Sequence, residues 1–228
     1  MFPKFIWPLL LAVVTLGGFG CGPQASLRSP GTLFLRQPVD SYKTFHEAFL
    51  AQAPRLKQQG FWAYSLHQDL SNPKAILLTL ACSDLQKGLD FVRSDYFLNA
   101  MNKAGAGVPS VWWGLDLTAR VYRPEPHMKG GIVVARNEVR SLAFWKKGFD
   151  AEGPHNHAGR HYVASNRSVH AWPAKGEGPA VVIVAHQASD VRMAPAFMDS
   201  PSMRGEMEAL GVTGLELWYG KNIEQGLF

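Results

Sequence analysis

Residues 75–114 read AILLTLACSDLQKGLDFVRSDYFLNAMNKAGAGVPSVWWG, and residues 181–220 read VVIVAHQASDVRMAPAFMDSPSMRGEMEALGVTGLELWYG. When these stretches are aligned without a gap at an offset of 106, they are identical at Ser83/Ser189, Asp84/Asp190, Phe91/Phe197, Ser94/Ser200, Met101/Met207, Gly105/Gly211, Trp112/Trp218 and Gly114/Gly220. Residues 33–54 match residues 133–154 at an offset of 100, with identity at Arg36/Arg136, Val39/Val139, Ser41/Ser141, Phe49/Phe149, Ala51/Ala151 and Pro54/Pro154. The sequence therefore predicts a duplicated unit with six extra residues in the second copy.

Each copy has the strand and helix pattern of a ferredoxin-like unit. Apolar or alternating runs in the first copy predict four strands, at residues 32–36, 61–67, 75–82 and 111–115. Ser41 is a candidate cap for the first helix, and Ser83 and Gln86 form a capping box for the second. The second helix breaks at Ser94, as its counterpart does at Ser200. We therefore predict an α+β fold of two tandem β-α-β-β-α-β repeats, in which each repeat covers the open sheet face of the other.

The amino-terminal segment has the layout of an export signal. An uncharged run of 15 residues follows Lys4 and is too short to span a hydrocarbon core of about 30 Å. Small residues precede Cys21, as at the lipidation site of a bacterial lipoprotein, although Gly18 stands where leucine is usual. Plain secretion is the alternative. We expect a body on the periplasmic or outer face of a bacterial membrane, held there by a lipid on Cys21.

The predicted parts of the chain follow from the repeats and the export signal. They are a signal peptide with the candidate lipidation Cys21 at residues 1–21, a disordered tether at 22–30, a first repeat at 31–122, a linker at 123–129 and a second repeat at 130–224. A tandem pair within one chain predicts a monomer.

Composition and motifs exclude several functional classes. The net charge of +5 is diffuse, with no basic run longer than Lys146–Lys147, which argues against a nucleic-acid partner. The sequence has no phosphate-binding glycine loop, GxSxG elbow, HExxH or paired CxxC. Cys82 lies in an apolar run and is expected to be buried as a small hydrophobic residue.

Two segments carry a family resemblance. Residues 69–107, DLSNPKAILLTLACSDLQKGLDFVRSDYFLNAMNKAGAG, and residues 133–150, VVARNEVRSLAFWKKGFD, resemble the antibiotic biosynthesis monooxygenase-like branch of the dimeric α/β-barrel superfamily. In that family two chains usually pack their sheets into a barrel, so a tandem copy implies an intramolecular dimeric α/β-barrel. The family includes cofactor-independent oxygenases and haem-degrading enzymes. Asn137 stands where many members have histidine, with Gln37 at the matching place of the first copy.

The candidate catalytic residues are Asn137, His170 and His186. His170 and His186 fall in predicted strands that we expect to be adjacent, and the first copy has Leu80 in place of His186. A polar pocket is therefore expected in the second half, with either histidine as a base and Asn137 as a hydrogen-bond donor. The alternative is a buried neutral imidazole that is satisfied by a backbone carbonyl.

Two further clusters carry binding hypotheses. Trp112 and Trp218 lie on the closing strands, where they either pack in the core or form a stacking wall for a flat ligand. His155, His157 and His161 are candidate ligands for a metal or partners for haem propionates, with a solvated turn as the alternative. The sequence does not identify a cofactor, and it is compatible with no cofactor, with haem and with a metal ion.

Two functions from different classes follow. In the first, the protein binds a small apolar or flat ligand in a cavity of the second repeat. In the second, the same cavity performs a cofactor-independent or haem-linked oxygenation, which only the family resemblance supports.

The lipid anchor gives a testable prediction. Cells that express the protein and are fed a radioactive fatty acid should label the wild type and leave the Cys21→Ser variant unlabelled, because the sulfur of Cys21 is the atom to which the lipid is attached. Equal labelling of both chains would contradict a lipid on Cys21.

Overall fold

The computed structural model describes residues 26–117, 130–158, 164–188 and 190–228, with the backbone alone at 152–158 and 164–167. We call residues 26–117 the first half and residues 130–228 the second half. The predicted signal peptide, Cys21 and the linker at 123–129 lie outside the described residues. Among the described helices, none has the length and apolar character needed to cross a membrane.

The two halves contain the predicted elements in the predicted order. The first half comprises β1 (Gly31–Pro38), α1 (Tyr42–Ala51), α2 (Ala53–Gln58), β2 (Phe61–Asp69), β3 (Ala75–Cys82), α3 (Leu85–Val92), α4 (Asp95–Lys103) and β4 (Ser110–Asp116). The second half comprises β5 (Gly131–Val139), α5 (Leu142–Ala158), β6 (Ala164–Trp172), β7 (Ala180–Ala188), a 3₁₀ turn (Val191–Met193), α6 (Ala194–Met198), α7 (Pro201–Ala209) and β8 (Val212–Leu227).

Short polar side chains start the helices. The hydroxyl of Ser94 accepts a hydrogen bond from the Phe97 amide at 3.3 Å, and the hydroxyl of Ser200 accepts one from the Met203 amide at 3.2 Å. These caps satisfy amides that have no partner inside the helix, which is why each second helix breaks and restarts at its serine.

The start of α3 differs from the prediction. Asp84, and not Ser83, caps the helix by accepting from the Lys87 amide at 2.9 Å. The amides of Leu85 and Gln86 donate to the carbonyls of Ser29 and Leu27 at 3.0 and 2.8 Å. The end of the predicted tether is therefore held against the first turn of α3, and the prediction of a disordered tether up to residue 30 was wrong at these residues.

The strands of the described chain form one closed antiparallel barrel in the order β1-β3-β2-β8-β5-β7-β6-β4. Within the first half the order is β4-β1-β3-β2, and within the second half it is β8-β5-β7-β6. Two seams join the halves, β2 with β8 and β4 with β6. Closure matters because it leaves no open sheet edge in the described chain.

Side chains alternate between two apolar layers. On β1, Leu33 and Leu35 pack beneath the helices with Phe45 and Phe49, whereas Phe34 points the opposite way. Because the helices lie outside the barrel, Phe34 faces its interior, in a cluster with Ile132, Val134, Ile183, Ala185, Trp112, Val181 and Trp218. Cys82 is fully buried on the helix side, as predicted, and burial raises the pKa of its thiol to about 12.

Glycine allows close strand approach at both seams. A Cβ atom on Gly220 would lie 2.6 Å from the Cβ of His67, and one on Gly114 would lie 2.9 Å from the Cβ of His170. Each seam therefore pairs a glycine of one half with a histidine of the other, which explains why Gly114 and Gly220 recur at the same place in the two copies.

His67 gives the fold a pH dependence. Its Nε2 lies 2.9 Å from the Ser65 hydroxyl, its Nδ1 is buried without a hydrogen-bond partner among the described residues, and burial lowers its pKa from 6.5 to about 3. Between these two values the unfolded chain binds a proton that the folded chain does not, so stability falls as the pH falls.

We expect the free energy of unfolding to fall by about 2–3 kcal/mol because of His67 when the pH is lowered from 7.5 to 4.5. Urea unfolding across this interval should therefore show a flatter pH profile for His67→Gln than for the wild type, because glutamine does not titrate. Parallel profiles for the two proteins would contradict a buried, neutral His67.

Candidate functional site

A cavity lies between the sheet and the helices of the second half. Its volume is about 40 Å³, enough for a few water molecules. The lining is almost wholly apolar and consists of Ala135, Asn137, Trp145, Phe149, Val184, His186, Phe197, Met198, Met203, Met207, Leu210 and Val212.

The cavity exists because the second half has smaller side chains on its floor. At the offsets found in the sequence, Ala135 matches Leu35 and Val184 matches Leu78. In the first half these two leucines occupy the corresponding positions and are buried, with 0% and 1% of their surface exposed. Because Ala135 and Val184 are smaller than these leucines, they leave a space that the surrounding side chains do not fill, as after large-to-small substitutions in protein cores.

Two polar side chains stand at the two ends of this floor. Asn137 on β5 is opposite Val182, and His186 on β7 is opposite Val133, so the pair Ala135–Val184 lies between them. Four residues along a strand separate the two polar positions by about 13 Å. Asn137 and His186 therefore contact different ends of the cavity and do not converge on one point.

Both polar groups are buried. Asn137 is 3% exposed, and its Nδ2 donates to the carbonyls of Ala135 and Val182 at 3.4 Å, which is long for a hydrogen bond. His186 is 9% exposed. The long bonds of Asn137 leave its amide free to turn to a better acceptor, such as an oxygen atom of a ligand.

His170 lies on the other face of the sheet. On β6 it is opposite Ile183, while Arg167 is opposite His186, so His170 is three residues from the position that faces His186. Such positions point to opposite faces of a strand. The ring of His170 contacts Phe34 edge-on at 5.2 Å, inside the barrel. The strands β6 and β7 are adjacent, as expected, but the two histidines point to opposite faces of the sheet.

The candidate stacking residues are also inside the barrel. Trp112 and Trp218 stack on each other with ring centroids 3.4 Å apart and ring planes 13° apart. Each indole ring therefore stacks on the other and not on a ligand, and neither tryptophan lines the cavity. Their packing position matches the first of the two alternatives drawn from the sequence.

The histidine cluster lies largely outside the described residues. His155 and His157 fall in α5, of which only the backbone is described at these positions, and His161 is not described. Among the described residues, no group of three or more His, Cys, Asp or Glu side chains is placed to hold a metal ion.

The cavity does not fit a haem. Pockets that hold drug-sized ligands have volumes of about 300–1,000 Å³, far above the space available here.

A larger groove of about 290 Å³ lies on the first half. Its polar rim is exposed to solvent at Asp40, Gln68 and Lys74. A ligand there would replace contacts that water already makes with these polar groups, so the largely apolar cavity of the second half is the stronger candidate. Sequence reasoning missed the methionines Met198, Met203 and Met207 of that cavity, although the change from Phe97 to Met203 at the offset of 106 signals a looser core.

Several solved structures share this fold at low sequence identity. No protein-family description and no curated protein sequence matches the chain. An anthrone oxidase-like protein has a similar structure, with a TM-score of 0.56 and 11% identity over 87% of this chain and 93% of its own. A candidate monooxygenase from Fusobacterium nucleatum subsp. nucleatum ATCC 25586 follows, with a TM-score of 0.52 and 7% identity over 87% and 95% of the two chains.

A heme-binding protein from Thermus thermophilus is also similar, with a TM-score of 0.50 and 10% identity over 86% of this chain and 92% of its own. Identities this low establish the fold and leave the activity open. The chain shares the mixed α+β fold of these proteins.

Proposed function

We propose that the second-half cavity binds a small apolar or flat molecule, in an extracytoplasmic protein that is held at a membrane by a lipid on Cys21. The observation that carries this proposal is an apolar floor, Ala135 and Val184, between two buried polar ends, Asn137 and His186. Small-molecule sites commonly combine an apolar lining with a few polar groups that fix orientation.

The architecture proposed with this function is a tandem pair of ferredoxin-like repeats within one chain. The recurring residues at offsets of 100 and 106 support it, as does the same order of strands in the two halves. In this arrangement the first half is the filled copy and the second half is the copy that holds the ligand.

The size of the cavity limits the ligand. In its present shape the cavity has room for less than one aromatic ring, since an engineered cavity that binds benzene measures about 150 Å³. Met198, Met203 and Met207 line it from α6 and α7, and methionine side chains adapt readily to irregular spaces. A single-ring ligand is therefore the expected size, and its entry requires these side chains to rotate.

A second candidate function is a cofactor-independent monooxygenase. The structural likeness to an anthrone oxidase-like protein and to a candidate monooxygenase favours it, together with an imidazole inside an apolar cavity. In this reaction His186 accepts a proton from an activated methylene group of the substrate. The resulting anion is oxidised by O2, one oxygen atom becomes a carbonyl and the other leaves as water.

Phenol and toluene test the binding proposal because they share a shape and differ in one hydroxyl group. Isothermal titration should show that Val184→Leu weakens both ligands by about tenfold, because leucine takes up the space of a methylene group. His186→Leu should weaken phenol by about fivefold and leave toluene unchanged if the hydroxyl bonds to the imidazole. Asn137→Leu should weaken phenol by a similar factor and leave toluene unchanged if the hydroxyl bonds to the Asn137 amide at the other end of the cavity.

The matched control is Leu78→Val in the first half. It should lower the free energy of unfolding by about 1 kcal/mol and leave ligand affinity unchanged, because it opens the core of the other copy. Binding that survives Val184→Leu unchanged, or that is lost in Leu78→Val, would contradict the proposed site.

The same proteins separate binding from catalysis. Oxygen uptake with 1,3-cyclohexanedione as the probe, a single ring that carries an activated methylene group, should fall at least about a hundredfold in His186→Leu if His186 is the base. Uptake equal to that of the probe alone leaves binding as the function of the cavity.

A further inference from the structure

A chain of three polar side chains crosses the seam between β4 and β6. The Nδ1 atom of His170 lies 2.6 Å from Oδ1 of Asp116, and its Nε2 atom lies 2.9 Å from the hydroxyl of Ser168. A carboxylate only accepts hydrogen bonds, so Nδ1 of the neutral imidazole is the donor and Nε2 accepts from Ser168. The connectivity is therefore carboxylate to Nδ1 and hydroxyl to Nε2, the arrangement by which an imidazole activates a serine.

The other seam shows that the fold does not require this arrangement. There Ser65 and His67 repeat the serine and histidine two residues apart on one strand, again with 2.9 Å between Nε2 and the hydroxyl. The residue opposite His67 is Asn222, which matches Asp116 at the offset of 106. The Nδ1 atom of His67 has no hydrogen-bond partner in the described part of the chain. Only one seam combines the serine and histidine with a carboxylate.

The surroundings of Asp116 orient it. Oδ1 of Asp116 accepts a hydrogen bond from the Thr32 hydroxyl at 3.1 Å in addition to the bond from His170. Phe34 packs against the imidazole, which is 4% exposed. Ser168 is intermediate in exposure, whereas Ser65 is 1% exposed. The serine that has the complete set of partners is therefore also the one that solvent reaches.

We propose that Ser168, His170 and Asp116 form a nucleophilic triad that acts on small carboxylic esters. The hydroxyl oxygen of Ser168 attacks the ester carbonyl and gives its proton to Nε2 of His170. The bond from the carbonyl carbon to the alcohol oxygen breaks, and the alcohol leaves with that proton. Water then attacks the acyl serine, its proton passes through Nε2 back to the serine oxygen, and the carboxylic acid is released.

Asp116 holds the imidazole in the tautomer that accepts the serine proton, and its charge stabilises the imidazolium that forms. The partial burial of Ser168 restricts the acyl group to a small one. This site lies inside the barrel seam, on the sheet face opposite the cavity of Asn137 and His186, so it is independent of the function proposed for that cavity.

A fluorophosphonate reagent tests the triad because it reacts with activated serines and not with ordinary ones. Intact-mass and peptide mass spectrometry of the full chain should find one adduct per molecule, on Ser168. His170→Gln should abolish the adduct, and Asp116→Asn should slow its formation by about 10²-fold to 10⁴-fold. The rate of 4-nitrophenyl acetate hydrolysis should be highest in the wild type, lower in Asp116→Asn and lowest in His170→Gln.

Ser65→Ala is the matched control, since it removes the corresponding serine at the other seam and should leave labelling of Ser168 unchanged. Circular dichroism confirms that each variant is folded, and Asp116→Asn keeps the size of the side chain. The proposal is overturned if the folded wild type takes up no adduct, if Ser65 is labelled as fast as Ser168, or if His170→Gln is labelled like the wild type.

Discussion

The structure depends on hydrogen bonding between edge strands of the two halves. β2 pairs with β8 from Ala63–Leu227 to Asp69–Gly220, and β4 pairs with β6 at Leu115–Ala171 and Asp116–His170. Each half alone would expose the edges of its sheet and one apolar face, including Phe34 or Val134. Joining the halves satisfies the edges and buries that face in one step, which is how a single chain closes the barrel.

Closure also explains which parts of the fold the sequence predicts. Strands and helices follow from local periodicity, and the helix breaks at Ser94 and Ser200 follow from local capping, so these were predicted. The division of the first helix into α1 and α2 was not predicted. The length of β8 was not predicted, because its last residues form a strand only by pairing with β2 in the other half. The face of His170 relative to His186 depends on the register between β6 and β7, which local patterns do not determine.

The candidate site was predicted in part for the same reason. The comparison of the two copies placed a polar pocket in the second half. Asn137 and His186 do line one cavity there, but the rest of its lining is apolar. The cavity forms because the second copy has smaller side chains, Ala135 in place of Leu35 and Val184 in place of Leu78. This difference can be read from the alignment of the two copies. The contents of the barrel interior, including the stacked Trp112 and Trp218, depend on closure and need the structure.

The central claim is that two matched cores differ, with the first filled and the second holding a cavity. Xenon tests it most directly, because the gas enters apolar cavities and not close-packed cores. In a crystal pressurised with xenon, the account predicts density between Ala135 and Val184 and none between Leu35 and Leu78. Xenon bound in both halves, or in the first half alone, would contradict it.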